Sequence, residues 1–284
     1  MSFHGFRGNN IYVYQVASEP TVMESIREPA VAGSFYPADP QLLHTQLDEL
    51  FAGVSALPPP PKAMIVPHAG YIYSGPVAAS GYASLAPVAG QIERVVLLGP
   101  SHREAFHGIA VPGASAFRTP LGTIALDRES IDKVLLLPQV HTDDGAHLLE
   151  HSLEVHLPFL QHVLGTFTLV PLLVGDASAE DVSEVIRQLW GGRETLLVIS
   201  SDLSHYLDYD SAKARDAATT RAIETLAYER IGYHDACGRN PVNGLLHYAR
   251  EHDLTIKAID LRNSGDTAGP RDQVVGYGTY LLSE

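Results

Sequence analysis

Four stretches of the chain are apolar at nearly every position instead of alternating. They are Ala63-Met64-Ile65-Val66, Arg94-Val95-Val96-Leu97-Leu98, Leu169-Val170-Pro171-Leu172-Leu173-Val174 and Thr195-Leu196-Leu197-Val198-Ile199. A strand with no polar face has both sides of its sheet covered. Between these runs the period changes to 3.6: Val182, Val185, Ile186, Leu189 and Trp190 share one helix face, opened by Ser178 as N-cap with Asp181 three residues on. Pro76 is expected to open an Ala-rich helix. Asn240 and Pro241 should cap and open another, carrying Val242, Leu245, Leu246 and Ala249. Segments 108–112 and 123–126 read as a short antiparallel excursion. The runs near 255–261 and 274–282 have no helix between them and should pair antiparallel. Strands alternating with helices predict the α/β class, as a single-domain α/β/α sandwich with a largely parallel, mixed central sheet.

Residues 27–284 are read as that one domain, and residues 1–26 as a loose N-terminal extension without periodicity, in which Ile11-Tyr12-Val13-Tyr14 is the one β-favouring run. Of the 284 residues, 45% are hydrophobic and 18% charged, which argues against disorder. The formal charge of −14, with no basic run, excludes a nucleic-acid groove or an anionic-membrane patch. A single cysteine, Cys237, forms no internal disulfide and fits a reducing compartment. With no apolar stretch of about 18 residues and no signal-peptide pattern, a cytoplasmic location is expected.

The chemistry gathers at the strand ends. The first, second and fourth apolar runs lead into Pro67-His68-Ala69-Gly70, Gly99-Pro100-Ser101-His102 and Ser200-Ser201-Asp202-Leu203-Ser204-His205. In open α/β sheets ligands bind outside the carboxyl ends of the strands, so parallel strands would place His68, His102 and His205 at one edge. A lone strand-end His is more often a structural hydrogen-bonder; three in equivalent positions point to a shared site. Cys237 precedes a helix start and Arg239, which could favour a thiolate; an inert buried cysteine is the equally weighted alternative. Asp202 stands three residues before His205, suited to orienting it or to capping the turn. Glu150-His151-Ser152-Leu153-Glu154-Val155-His156 precedes Pro158; His151 and Glu154 could face the strand ends, or the stretch could be an ordinary amphipathic helix. His44, His107, His141, His147, His162, His234, His247 and His252 are assigned surface or capping roles. The chain contains no G-x-S-x-G elbow, Walker A loop, dinucleotide fingerprint or C-x-x-C. Clustered His with a thiol then suits one mononuclear metal, Fe(II), Cu or Zn, in preference to Mg or Ca.

At these same residues the chain resembles a known family. Pro29 to Pro37, Pro67 to Tyr71, Gly99 to His102, Glu150 to Pro158, Ser200 to His205 and Cys237 to Arg239 follow, in order, the motifs of the Memo family (mediator of cell motility), whose prokaryotic members are called AmmeMemoRadiSam system protein B. The resemblance implies a fold similar to class III extradiol (LigB-type) dioxygenases, which use non-haem Fe(II). It maps His68, His102 and Cys237 onto the metal trio and His205 onto the acid–base histidine; Asp202, from its spacing, is the expected orienting partner of His205. His151, Glu154, Arg239 and Tyr71 are the expected substrate contacts. Those dioxygenases hold iron with two His and a carboxylate, whereas Cys237 would be the third ligand here. The implied function is a metal-dependent oxidoreductase with Fe(II), or Cu or Zn, acting on a small-molecule or peptide ligand, in functional association with a radical-SAM enzyme. Two other readings use the same pocket: an inactive peptide- or phospho-ligand-binding protein, and a zinc-type hydrolase.

Overall fold

The computed structural model describes residues 25–55 and 57–283. Residues 1–24, with the run at 11–14, lie outside the described residues. The first half of the chain comprises β1 (Ile26–Arg27), α1 (Pro40–Ala52), β2 (Ala63–Val66), α2 (Tyr71–Tyr82), β3 (Arg94–Pro100), β4 (Ile109–Val111), β5 (Ala116–Thr119), β6 (Gly122–Ala125) and α3 (Arg128–Val134). The second half follows with β7 (Val140–Thr142), α4 (Asp144–Leu148), α5 (Leu157–Leu164), β8 (Thr168–Val174), α6 (Ala179–Leu189), β9 (Thr195–Ser200), β10 (His205–Leu207), α7 (Tyr209–Glu224), α8 (Arg239–Glu251), β11 (Thr255–Asn263) and β12 (Val274–Ser283).

Nine strands form one mixed sheet in the order β10-β12-β2-β9-β3-β8-β4-β7, with β11 paired to β12. Its centre is parallel: β2 pairs β9, and β3 pairs both β9 and β8. The four apolar runs of the sequence are these four strands, and β2 and β9 are buried at every position. Helices α1, α2 and α5 pack together on one face, while α3, α6, α7 and α8 cover the other. Two-sided burial is therefore the reason the strands carry no polar face. The antiparallel β11–β12 pair and the Ser178–Asp181 capping box are both present as read from the sequence.

Connectivity selects where a site can form. The crossovers after β2 and β3 run toward β8, whereas those after β8 and β9 run back toward β12. Adjacent strands β9 and β3 thus send their chains apart, toward opposite ends of the sheet. A crevice opens at such a reversal, beyond the carboxyl ends of the strands.

Three local expectations are corrected. Segment 108–112 joins the main sheet as β4, antiparallel to β8, and 123–126 pairs instead with 116–119 in a separate small sheet with β1. Helix α2 begins at Tyr71, with Pro76 inside it. Helix α8 begins at Arg239 behind Gly238, which places Asn240 inside the first turn, with its side-chain amide donated to the Gly175 carbonyl at 2.7 Å.

Candidate metal centre

The register that pairs Val66 with Ser200 and Leu98 with Ile199 brings the ends of β2, β9 and β3 to one edge. His68 follows β2 and is buried; His102 follows β3 and opens onto solvent. Their rings lie 5.1 Å apart, edge to face.

Each ring is held from behind in a way that fixes its tautomer. Ser200 Oγ donates its one proton to the Ser152 carbonyl at 2.6 Å. The 2.6 Å contact between Ser200 Oγ and His68 Nδ1 must then be a donation from the imidazole. His68 Nε2 is left with a lone pair. Burial, then the neighbouring histidines, hold the His68 pKa well below its usual value, so the ring is neutral. Across the crevice, Glu150 Oε1 lies 3.0 Å from His102 Nδ1 and also accepts the backbone N–H groups of His151 and Ser152. Burial raises the Glu150 pKa, but the hydrogen bonds and charge of His102 and the backbone donors outweigh it, holding the group at about 2. An ionised carboxylate behind one ring nitrogen leaves the other free for a metal.

Cys237 Sγ lies 3.3 Å from His68 Nε2. Glycine is required for this approach: a Cβ on Gly238 would sit 2.4 Å from the Ser200 carbonyl oxygen. The Gly238 N–H donates to Ser201 Oγ at 3.0 Å, pinning the loop. Burial, and then Asp202, push the Cys237 thiol up, so the helix start does not by itself produce a thiolate. A bound cation reverses that preference, since metal binding displaces the proton.

His151 completes the group. The ligand atoms of His68, His102 and His151 lie within 4.8 Å of one another, and the His102 and His151 rings are stacked with centroids 4.8 Å apart. Asp202 Oδ1 accepts the His68 N–H at 2.8 Å, and its Oδ2 lies 4.0 Å from His68 Nε2. Burial raises the Asp202 pKa to about 6, opposed by the charge of His205 and by the His68 N–H. His205 is oriented by the Leu203 carbonyl, 2.8 Å from its Nδ1. A cleft of about 610 Å³ fronts the group, lined by Ser101, His102, His205, Tyr206, Leu207, Arg215, Tyr233, His234 and Cys237. Arg239 lies near its lip, with its guanidinium 5.9 Å from the Tyr233 ring centroid.

Glu154 and Tyr71 lie away from the cleft. Glu154 is fully buried and accepts from Arg27 Nη1, the Ala30 and Val31 N–H groups and the Tyr36 hydroxyl. Its carboxylate anchors the N-terminal strap instead of facing the strand ends, because residues 154–156 form a single 3-10 turn that points it inward. Tyr71 is buried with its hydroxyl donated to the Val155 carbonyl at 2.7 Å. His147, given a surface or capping role from sequence, is likewise buried, with Nε2 3.0 Å from the Ala110 carbonyl. Sequence reasoning assigned no role to Ser200 and none to Glu150 as a support; a Ser or Glu near the end of a motif gives no sign of which His it will meet.

The chain matches the model of the Memo-like protein family over residues 27–281. It is 38% identical to a MEMO1 family protein of Aquifex aeolicus, over 89% of this chain and 97% of the relative. Relatives of the same description from Sulfolobus acidocaldarius and Thermotoga neapolitana are each 36% identical, over 89% and 91% of this chain and 97% and 100% of theirs. Among solved structures, an uncharacterized protein from Escherichia coli K12 aligns with a TM-score of 0.49 and 13% identity, over 77% of this chain and 98% of that chain. In sequence, from the strap at Arg27 to the last strand, the chain belongs to the Memo family.

Proposed function

We propose that the protein is a metal-dependent oxidoreductase that holds Fe(II), with Cu or Zn as the alternatives, at the carboxyl end of its central strands. His68, His102 and Cys237 would hold the ion. The observation that carries the reading is the pair of imidazoles whose Nδ1 atoms are engaged by Ser200 and Glu150, which turns two free Nε2 lone pairs to one crevice. Nitrogen and sulfur donors fit a borderline transition metal and do not suit Mg or Ca. When bound, iron or copper would supply Lewis acidity and one-electron chemistry.

The chain's own residues supply the rest. His205 Nδ1–H is committed to the Leu203 carbonyl, so Nε2 is the atom that takes up or returns a proton in the cleft. Asp202, with a pKa raised to about 6 by burial, can change protonation near neutral pH next to His68. Arg239 beside Tyr233 suits an anionic group on a small-molecule or peptide ligand. A thiolate in place of the carboxylate of the extradiol dioxygenases would donate more charge to the metal and is itself oxidisable. The proposed setting is the cytoplasm, in a modification pathway shared with a radical-SAM enzyme. Among the described residues, no helix is long and apolar enough to cross a membrane.

Anaerobically purified protein, reconstituted with Fe(II), should consume O₂ when offered a member of a catechol panel. The His205→Ala variant should keep its iron and lose the uptake. Iron-loaded protein that consumes no O₂ with any catechol, and whose spectrum no catechol perturbs, would remove the dioxygenase-type assignment.

A further inference from the structure

We propose that His151 is itself a metal ligand, forming with His68 and His102 a set of three nitrogen donors to which Cys237 adds an exchangeable sulfur. The inference rests on the metal reading above and changes which side chains carry it. Nitrogens each about 2.1 Å from one tetrahedral ion lie about 3.4 Å apart. The three histidines, with ligand atoms within 4.8 Å of one another, reach that geometry by closing no more than about 1.4 Å, within the range of small ring rotations. Cys237 Sγ, 3.3 Å from His68 Nε2, is within reach of the same ion from the His68 side.

His151 also has a carboxylate beside its Nδ1, although no hydrogen bond joins the two. Glu150 Oε1 lies 3.0 Å from His102 Nδ1 and 3.3 Å from His151 Nδ1, so one carboxylate backs two stacked rings. A ligating histidine characteristically sets its second nitrogen against a carboxylate or carbonyl. His151 Nδ1 is buried and has no hydrogen bond of normal geometry to compete with that arrangement. The ring is held in place by Phe35, with centroids 4.9 Å apart, and the Glu150 carbonyl is fixed by the Arg27 guanidinium. The residues lining the cleft include His102 and Cys237 but not His151.

The test uses Co²⁺ as probe, titrated anaerobically into the metal-free full chain against a competing chelator. His151→Ala and His151→Gln should each lower Co²⁺ affinity at least about tenfold, a loss already typical when only a supporting partner of a ligand is removed. His68→Ala should do the same. Cys237→Ala should lose the near-ultraviolet sulfur-to-cobalt band yet retain Co²⁺. Melting curves of the same variants separate ligand loss from unfolding, and if the Ala variant does not fold, the Gln variant carries the test. Wild-type affinity in both His151 variants, or loss of all binding in Cys237→Ala, would overturn the inference while leaving the metal reading intact. A wild-type chain that takes up no Co²⁺ would overturn both.

Discussion

Ser200 determines which nitrogen His68 offers. Its hydroxyl has one proton, spent on the Ser152 carbonyl, so His68 Nδ1 must be the donor and Nε2 the free lone pair. Ser200→Ala should therefore weaken metal binding by about 10–100-fold without removing a ligand. Chelator competition reads this directly, and unchanged affinity would mean that Ser200 does not set the tautomer. A second prediction concerns His147 and His156, which burial holds neutral with pKa values lowered to about 4 and about 3. Between those values and the ordinary 6.5 the unfolded chain binds more protons than the folded one, so stability falls as pH falls through that window. Each should cost about 2 kcal/mol by pH 5. The melting temperature should drop by about 8–16 °C from pH 7 to pH 5, and His147→Gln should make that drop shallower. A melting temperature flat over this range would contradict the neutral, buried assignment. The sequence showed the strand-end placement of His68 and His102, because an apolar run ending in a turn is a local signal. It could not show Ser200 meeting Ser152, 48 residues earlier, or the burial of His147; both depend on tertiary packing.

At the scale of elements, the strap from Arg27 to Tyr36 and the turn at 150–156 act as one unit. Glu154 takes four donors from the strap, and Arg27 also reaches the His147 carbonyl at 3.0 Å. The same turn carries Glu150 and His151 to the crevice, and the strap backs them there, with Arg27 on the Glu150 carbonyl and Phe35 against the His151 ring. Removing one partner of a buried ion pair leaves the other charge uncompensated, so Glu154→Ala should cost about 3–5 kcal/mol. Chemical denaturation checks this; a loss under about 1 kcal/mol would mean that the strap is not held by this carboxylate. Sequence patterning placed Glu154 beside His151 on the assumption of a continuous helix. The chain instead turns through a short 3-10 segment before α5, and that change of pitch sends the two side chains opposite ways. Periodicity identified the central strands and α6 well, where the apolar pattern is long. It misplaced the starts of α2 and α8, because Pro76 is accommodated inside a helix and Asn240 lies inside the first turn.

For the whole molecule, strand order carries the argument. The reversal between β9 and β3 opens a crevice at one edge, and β2, β9, β3 and the start of α8 each deliver a side chain to it. A ligand that binds only the folded chain stabilises it by RT ln(1 + [L]/Kd), about 2.7 kcal/mol at one hundred times Kd. Saturating metal should then raise the melting temperature by about 5–11 °C, and His102→Ala should abolish the rise. The most direct measurement is the metal content of the full-length chain purified anaerobically, alongside His68→Ala and His102→Ala. About one ion per wild-type chain, and close to none in either folded variant, is the predicted result. Metal retained equally by all three proteins, or absent from the wild type even after exposure to Fe(II), Cu and Zn, would contradict it.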